Sequence, residues 1–116
     1  MRLECTFPMP ELHLFHSRRK AIRMLRRLGF DSEPLGTDAQ MWFAEGVAVV
    51  LIEACGDRHE EAALLAHEAV HVAEEWLRWL GEEEPADEER AYMVQCIAEP
   101  LLRAHRRWKR KHGRGA

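Results

Sequence analysis

The sequence predicts an α+β domain in which a helix and a β-hairpin in the first half pack against two longer helices in the second half. Three observations support this prediction. Apolar residues recur at helical spacing between positions 17 and 29, a β-branched run covers positions 47–54, and two long amphipathic segments follow position 57. A length of 116 residues fits one domain, spanning positions 1–116, with a single modest core.

The first helix is defined by its ends. Ser17 is a suitable N-cap and Gly29 a suitable C′ residue. The other face of this helix is rich in arginine, which fits either a solvated face or a docking face for an anionic partner. Upstream, Leu3–Phe7 could form a short strand, and Pro8 and Pro10 break the chain after it. The apolar residues at helical spacing are Ala21, Ile22, Leu25 and Leu28.

Two strands are predicted in the middle of the chain. Gln40–Ala44 and Val47–Ala54 flank Glu45 and Gly46, a suitable turn pair. The second segment is rich in β-branched residues and too short for an independent helix. The sequence therefore predicts a β-hairpin, or a small antiparallel sheet, with at least one buried face.

Two helices are predicted in the second half. Asp57 caps a helix from about Arg58 to Leu80, and the chain turns after it. A last helix begins near Asp87, and Pro100 should end or kink it because proline lacks the backbone donor that a helix interior needs. A further helical piece over Leu101–Lys111 carries a basic tail, at about 103–116.

Charge is divided unevenly along the chain, although the formal net charge is only −3. Residues 1–30 carry seven basic and two acidic side chains, residues 31–99 three basic and eighteen acidic, and residues 100–116 seven basic and none acidic. These ends could fold onto the acidic centre or contact an anionic partner. The basic tail with Trp108 has the composition of a nucleic-acid contact, and a solvated helix end is the alternative.

Cysteine usage and hydropathy bear on location. Cys5, Cys55 and Cys96 are odd in number and widely spaced, which favours reduced thiols over a disulfide framework. No apolar run reaches the roughly 18 residues of a membrane span, and the N-terminus lacks the pattern of a signal peptide. We therefore expect a cytoplasmic protein without membrane contact.

The motif that carries chemistry is the segment His67-Glu68-Ala69-Val70-His71, an HExxH pattern. On a helix, residues four apart share one face, so the two imidazoles can bind one Zn²⁺ ion. Glu68 lies about 100° round the helix from His67, close enough to act as a base without ligating the metal. The alternative is a pair of histidines that make ordinary hydrogen bonds in a helical core.

A catalytic zinc site needs a third protein ligand, which should come from the last helix. The candidates are Asp87, Glu88 and Glu89, which lie 16 to 18 residues after His71. A change of one residue rotates a helical carboxylate by about 100°, so these candidates are not equivalent. The sequence pattern alone leaves them open.

The segment LLAHEAVHVAEEWLRWLGEEEPADEERAYMVQCIAEPLL resembles gluzincin-type metallopeptidases, in which a second helix carries a ligand glutamate. More specifically, it resembles small metallopeptidase-like proteins encoded by bacteriophages and prophages, over about residues 40–102. The resemblance implies a minimal zincin-like fold, with the HExxH helix beside the glutamate-bearing helix. It also implies Glu88 as the third zinc ligand, with Glu89 as the second choice. Where gluzincins have an aspartate that orients one histidine ligand, this chain has Tyr92.

Further candidates surround this site. Tyr92, one turn after Glu88, could donate a hydrogen bond to a developing oxyanion, or could be a half-buried helix residue. Gln95 lies on the same helix face. His13 and His16 could approach the metal only if the N-terminal segment crosses the cleft. The remaining histidines have no partner at ligand spacing: His59, His105 and His112.

These features favour a zinc-dependent hydrolase, specifically a peptidase with a narrow protein substrate, in which Glu68 is the general base. An extended peptide could pair with the exposed edge of the hairpin. The alternative is a zinc-stabilised interaction or regulatory protein of the phage type, without catalysis, that binds a protein or nucleic acid through its basic ends.

Overall fold

Three helices and a three-stranded mixed sheet make up the described part of the chain. The structure is a computed structural model, and it describes residues 8–31, 33–53, 56–82, 84 and 86–112. The elements in chain order are β1 (Glu11–Phe15), α1 (Arg18–Arg27), β2 (Ala39–Ala44), β3 (Val47–Ile52), α2 (Arg58–Trp79) and α3 (Asp87–His112). The prediction of an α+β domain is therefore confirmed.

The strand β3 is the centre of the sheet, which has the order β1-β3-β2. It pairs in parallel with β1 and antiparallel with β2. Side chains alternate along β3, so Val50 packs against α2 and α3 on one face while Val49 packs against α1 on the other. Because both faces of β3 are buried, its sequence is a continuous apolar run and does not alternate between apolar and polar residues.

The local turn and capping predictions are confirmed. Ser17 Oγ accepts from the backbone N–H of Lys20 at 3.3 Å, and Asp57 Oδ1 accepts from the backbone N–H of His59 at 2.8 Å. The hairpin turns at Glu45 and Gly46, both with positive φ (47° and 81°). Two positive φ values in a two-residue loop match the right-handed twist of the flanking strands.

The structure differs from the sequence prediction by one additional strand near the start of the chain and by a longer last helix. The strand β1 was not predicted, and it occupies the segment directly after Pro10, whereas the predicted strand Leu3–Phe7 lies outside the described residues. Pro100 does not end the last helix, which continues to His112 and includes the basic residues from Arg103 onward. Packing of α3 against α2 therefore outweighs the helix-breaking tendency of one exposed proline.

The prediction of reduced thiols is wrong for Cys96, which is disulfide-bonded. Cys5 and Cys55 lie outside the described residues. Disulfides persist mainly in oxidising compartments, so this bond removes one argument for a cytoplasmic location. Among the described residues, no helix is both long and apolar enough to cross a membrane.

Candidate active site

The HExxH segment lies in the middle of α2, and its two histidines share one exposed face of that helix. The Nε2 atoms of His67 and His71 are 3.2 Å apart, and the ring centroids are 4.8 Å apart. Glu74 Oε1 lies 3.8 Å from Nδ1 of His71, on the ring nitrogen away from His67. The helix thus places two imidazoles at one point, with a carboxylate beside the second.

Glu68 has a different environment from its neighbours. Its side chain is buried, with 6% of the residue exposed, and it makes no hydrogen bond or ion pair with the described residues. Burial raises the pKa of Glu68, and the nearby His67 and His71 oppose that shift. Every fully enclosed side-chain oxygen of the described residues has a hydrogen-bond partner. Because the Glu68 carboxylate has none among these residues, it must reach solvent.

That solvent lies in a cleft formed by α2, β2 and the segment before β2. The cleft has two cavities, of about 940 Å³ and 590 Å³, and His67 and Glu68 line both. The larger cavity is lined by Asp38, which directly precedes β2, and by Glu60, which lies near the start of α2. The smaller one extends past His71, along the residues of β2 from Ala39 to Phe43, towards the end of α2. The HExxH residues therefore stand at the middle of one continuous groove.

The outer edge of β2 borders this groove. The Asp38 carbonyl accepts from the Glu53 N–H across the hairpin. Because hydrogen-bonded pairs alternate along an antiparallel ladder, the backbone groups of Gln40, Trp42 and Ala44 point towards β3. The backbone groups of Ala39, Met41 and Phe43 consequently point outward. The Ala39 carbonyl accepts from Thr37 Oγ1 at 3.2 Å, and Met41 and Phe43 are among the residues that line the smaller cavity.

The Nε2 atoms of His67 and His71 are within hydrogen-bond distance of each other, and they also have the spacing of two ligands of one zinc ion. At a zinc–nitrogen distance of about 2.05 Å, two imidazole nitrogens in tetrahedral coordination lie about 3.3 Å apart. The observed Nε2–Nε2 distance of 3.2 Å matches that spacing. Among the described residues, however, no third histidine, cysteine, aspartate or glutamate joins the pair.

The position of α3 explains why Glu88 does not join them. The helix α3 contacts the flank of α2 that carries Glu61, and His67 lies six residues further on, about 240° round the helix. None of the described residues lining either cavity belongs to α3. Glu88 is exposed at the start of α3, and Tyr92 is half-buried against the core between α2 and α3. Their proposed roles as ligand and oxyanion donor stay predictions.

Sequence reasoning missed a second polar cluster on the other flank of α2. Glu61 is 1% exposed, and its carboxylate lies 2.8 Å from Nε2 of His105 and 3.3 Å from Nζ of Lys109. His105 Nδ1 in turn lies 2.9 Å from Nε2 of His16, whose ring stacks on Trp108. These contacts join residues 44 to 92 positions apart, so no local spacing could have indicated them.

Comparison with known proteins does not assign the chain to a family. No family model, curated protein or solved structure matches the chain.

Proposed function

We propose that this protein is a zinc-dependent peptidase whose active site is the cleft between α2 and the outer edge of β2. His67 and His71 hold the metal, and Glu68 is the general base. The observation that carries the proposal is the pairing of two Nε2 atoms 3.2 Å apart with the buried residue Glu68, whose carboxylate has no partner among the described residues.

The residues of the cleft have separate roles in the proposed peptide hydrolysis. A bound zinc ion supplies Lewis acidity, which polarises a carbonyl group and favours deprotonation of water. Glu68 accepts the proton of the attacking water and passes it to the leaving amine. Met41 and Phe43 hold an extended substrate by backbone hydrogen bonds.

The variant Glu68→Gln tests the base directly. The amide is nearly isosteric with the carboxylate and ligates nothing in the proposed site, so zinc content and melting temperature should match the wild type. Cleavage of a degenerate peptide library, followed by mass spectrometry, should fall by about 10²–10⁴-fold. Glu82→Gln, an exposed position that lines neither cavity, is the control. Cleavage that survives Glu68→Gln, or no cleavage by zinc-loaded wild type, contradicts the proposal.

A second candidate function is a zinc-stabilised interaction protein without catalysis. It is favoured by the lack of a third ligand among the described residues and by a basic face on α3. Four arginines at helical spacing line a cavity of about 540 Å³ on that face: Arg103, Arg106, Arg107 and Arg110. For this function, partner binding would persist in Glu68→Gln and disappear only when His67 or His71 is replaced.

A further inference from the structure

We propose that the cleft beside His67 and Glu68 binds an extended segment of another protein that carries lysine or arginine at both ends. This inference rests on the proposed function and names the substrate class of the same site. It is carried by the charges at the two ends of the cleft, by the outward edge of β2 and by the surroundings of Glu68.

Carboxylates stand at both ends of the groove. Asp38 and Glu60 line the larger cavity, and Glu74 and Glu75 line the far end of the smaller one. Among the described residues, Arg78 is the one lysine or arginine that lines either cavity, and it is already paired with Glu75. The groove is therefore strongly negative, which repels nucleic acid and attracts cationic side chains.

The burial of Glu68 distinguishes this groove from an ordinary acidic surface that is fully solvated. The residue is 6% exposed, lines both cavities and has no hydrogen-bond partner among the described residues. Because buried polar groups in folded proteins are almost always hydrogen-bonded, its carboxylate takes its donor from the groove. A ligand or an attacking water in the groove supplies that donor.

The dimensions of the groove fix the spacing of the cationic residues. Glu60 and Glu74 are fourteen residues apart on α2, a separation of about 21 Å along the helix axis. An extended chain covers that distance in about six residues. Pairing with the outward groups of Met41 and Phe43 requires an extended backbone, so the expected ligand has basic residues about six positions apart with an extended segment between them.

Fluorescence anisotropy with labelled ten-residue peptides tests the inference. The full-length wild type, treated with a chelator to prevent cleavage, is titrated with a peptide bearing Lys-Arg pairs six positions apart and with a matched peptide bearing Glu in their place. We expect the basic peptide to bind at least tenfold more tightly, and its affinity to fall between 50 and 500 mM NaCl. N-methylation of alternate peptide nitrogens should abolish binding, because it blocks pairing with β2.

Charge-matched variants locate the contact. Glu60→Gln with Glu74→Gln should weaken binding of the basic peptide by about two- to fivefold for each charge removed. Glu82→Gln with Glu84→Gln removes the same charge outside the groove and should leave binding unchanged. Equal binding of both peptides, or equal effects of both double variants, overturns the inference.

Two further results separate this inference from the proposed function. Zinc uptake without binding of the basic peptide overturns the inference and leaves the metal site standing. Basic-peptide binding without zinc uptake supports the inference and contradicts the zinc-dependent mechanism. Self-association at low salt that Glu60→Gln with Glu74→Gln abolishes makes a second copy of the chain the occupant, and overturns the proposal of a separate partner.

Discussion

Two glutamates of α2 are buried, and they differ in what surrounds their carboxylates. Glu61 is held by His105 and Lys109, so its negative charge is compensated by fixed neighbours. Glu68 has no such partner in the described part of the chain, and it lines the cleft. A compensated buried carboxylate stabilises a packing arrangement, whereas an uncompensated one at a groove is available for chemistry. Glu61 therefore has the surroundings of a structural carboxylate, and Glu68 those expected of the proposed base.

His16 makes the fold sensitive to acid. Burial is the main cause that lowers the pKa of His16 from 6.5 to about 4, and the charges of His105, His112 and Lys109 act in the same direction while Glu61 opposes them. The folded state thus favours neutral His16, and the unfolded chain takes up a proton at higher pH. The contribution of His16 to stability is present above pH 6.5 and is lost as the pH falls towards about 4.

We therefore expect His16→Phe to reduce the acid-induced loss of stability. Phenylalanine keeps an aromatic ring against Trp108, which stacks on His16 at a centroid distance of 3.9 Å, and it cannot be protonated. Thermal unfolding followed by circular dichroism between pH 7.5 and 4 should show a smaller fall in melting temperature than in the wild type. His13→Gln, on the neighbouring strand, should keep the wild-type fall. A wild-type pH dependence in His16→Phe would show that another group is responsible.

Among the elements, α3 is the one whose length the sequence did not predict. It runs from Asp87 to His112 through Pro100, whose ring removes a backbone donor and crowds the carbonyl four residues earlier. The helix persists because apolar residues on both sides of the proline, including Ile97 and Leu101, are buried against α2. Tertiary packing offsets the local cost.

Replacing Pro100 should remove the free-energy cost of having a proline inside α3. Pro100→Ala restores the backbone donor at an exposed position of a good helix, and should raise the free energy of unfolding by about 1–3 kcal/mol. Urea unfolding at neutral pH measures the change, with Arg107→Ala on the same helix as a control for exposed substitution. A lower stability in Pro100→Ala would mean that the proline sets a bend on which the packing of α3 depends.

Elements with a local chemical cause were predictable from the sequence. The caps Ser17 and Asp57, the turn at Glu45 and Gly46 and the burial of β3 all follow from residues close in sequence. The HExxH geometry belongs to the same class, because the helix itself sets the spacing of its two histidines.

Features that depend on distant partners were not predictable. The strand β1 is five residues long and follows two prolines, and its partner β3 begins more than thirty residues later. The sequence places Glu88 on a helix after the HExxH segment, but it does not say which flank of α2 that helix covers. In the structure α3 contacts the flank of Glu61 and His105, so the groove at His67 is bordered by β2 instead.

The whole molecule has a sheet with α1 on one face and α2 with α3 on the other. Its basic ends fold in part onto its acidic centre. Arg18 pairs with Glu53 at 2.8 Å and donates to the carbonyls of Pro34 and Leu35, which anchors the segment that leads into the cleft. At the other end of the chain, Lys109 reaches Glu61. Arg103, Arg106, Arg107 and Arg110 of α3 line a separate basic cavity that shares no residue with the negative groove.

The proposed function depends on the metal, so the most direct test is the zinc content of the purified protein. After dialysis against zinc and then against buffer, mass spectrometry should find about one equivalent in the wild type. His67→Ala and His71→Ala should lose it, because loss of a ligand weakens affinity by at least about 10–100-fold. His59→Ala, an exposed histidine of the same helix, should retain it. A wild-type protein without zinc, or zinc retained at full stoichiometry in both His67→Ala and His71→Ala, would contradict the assignment of the HExxH pair as a metal centre.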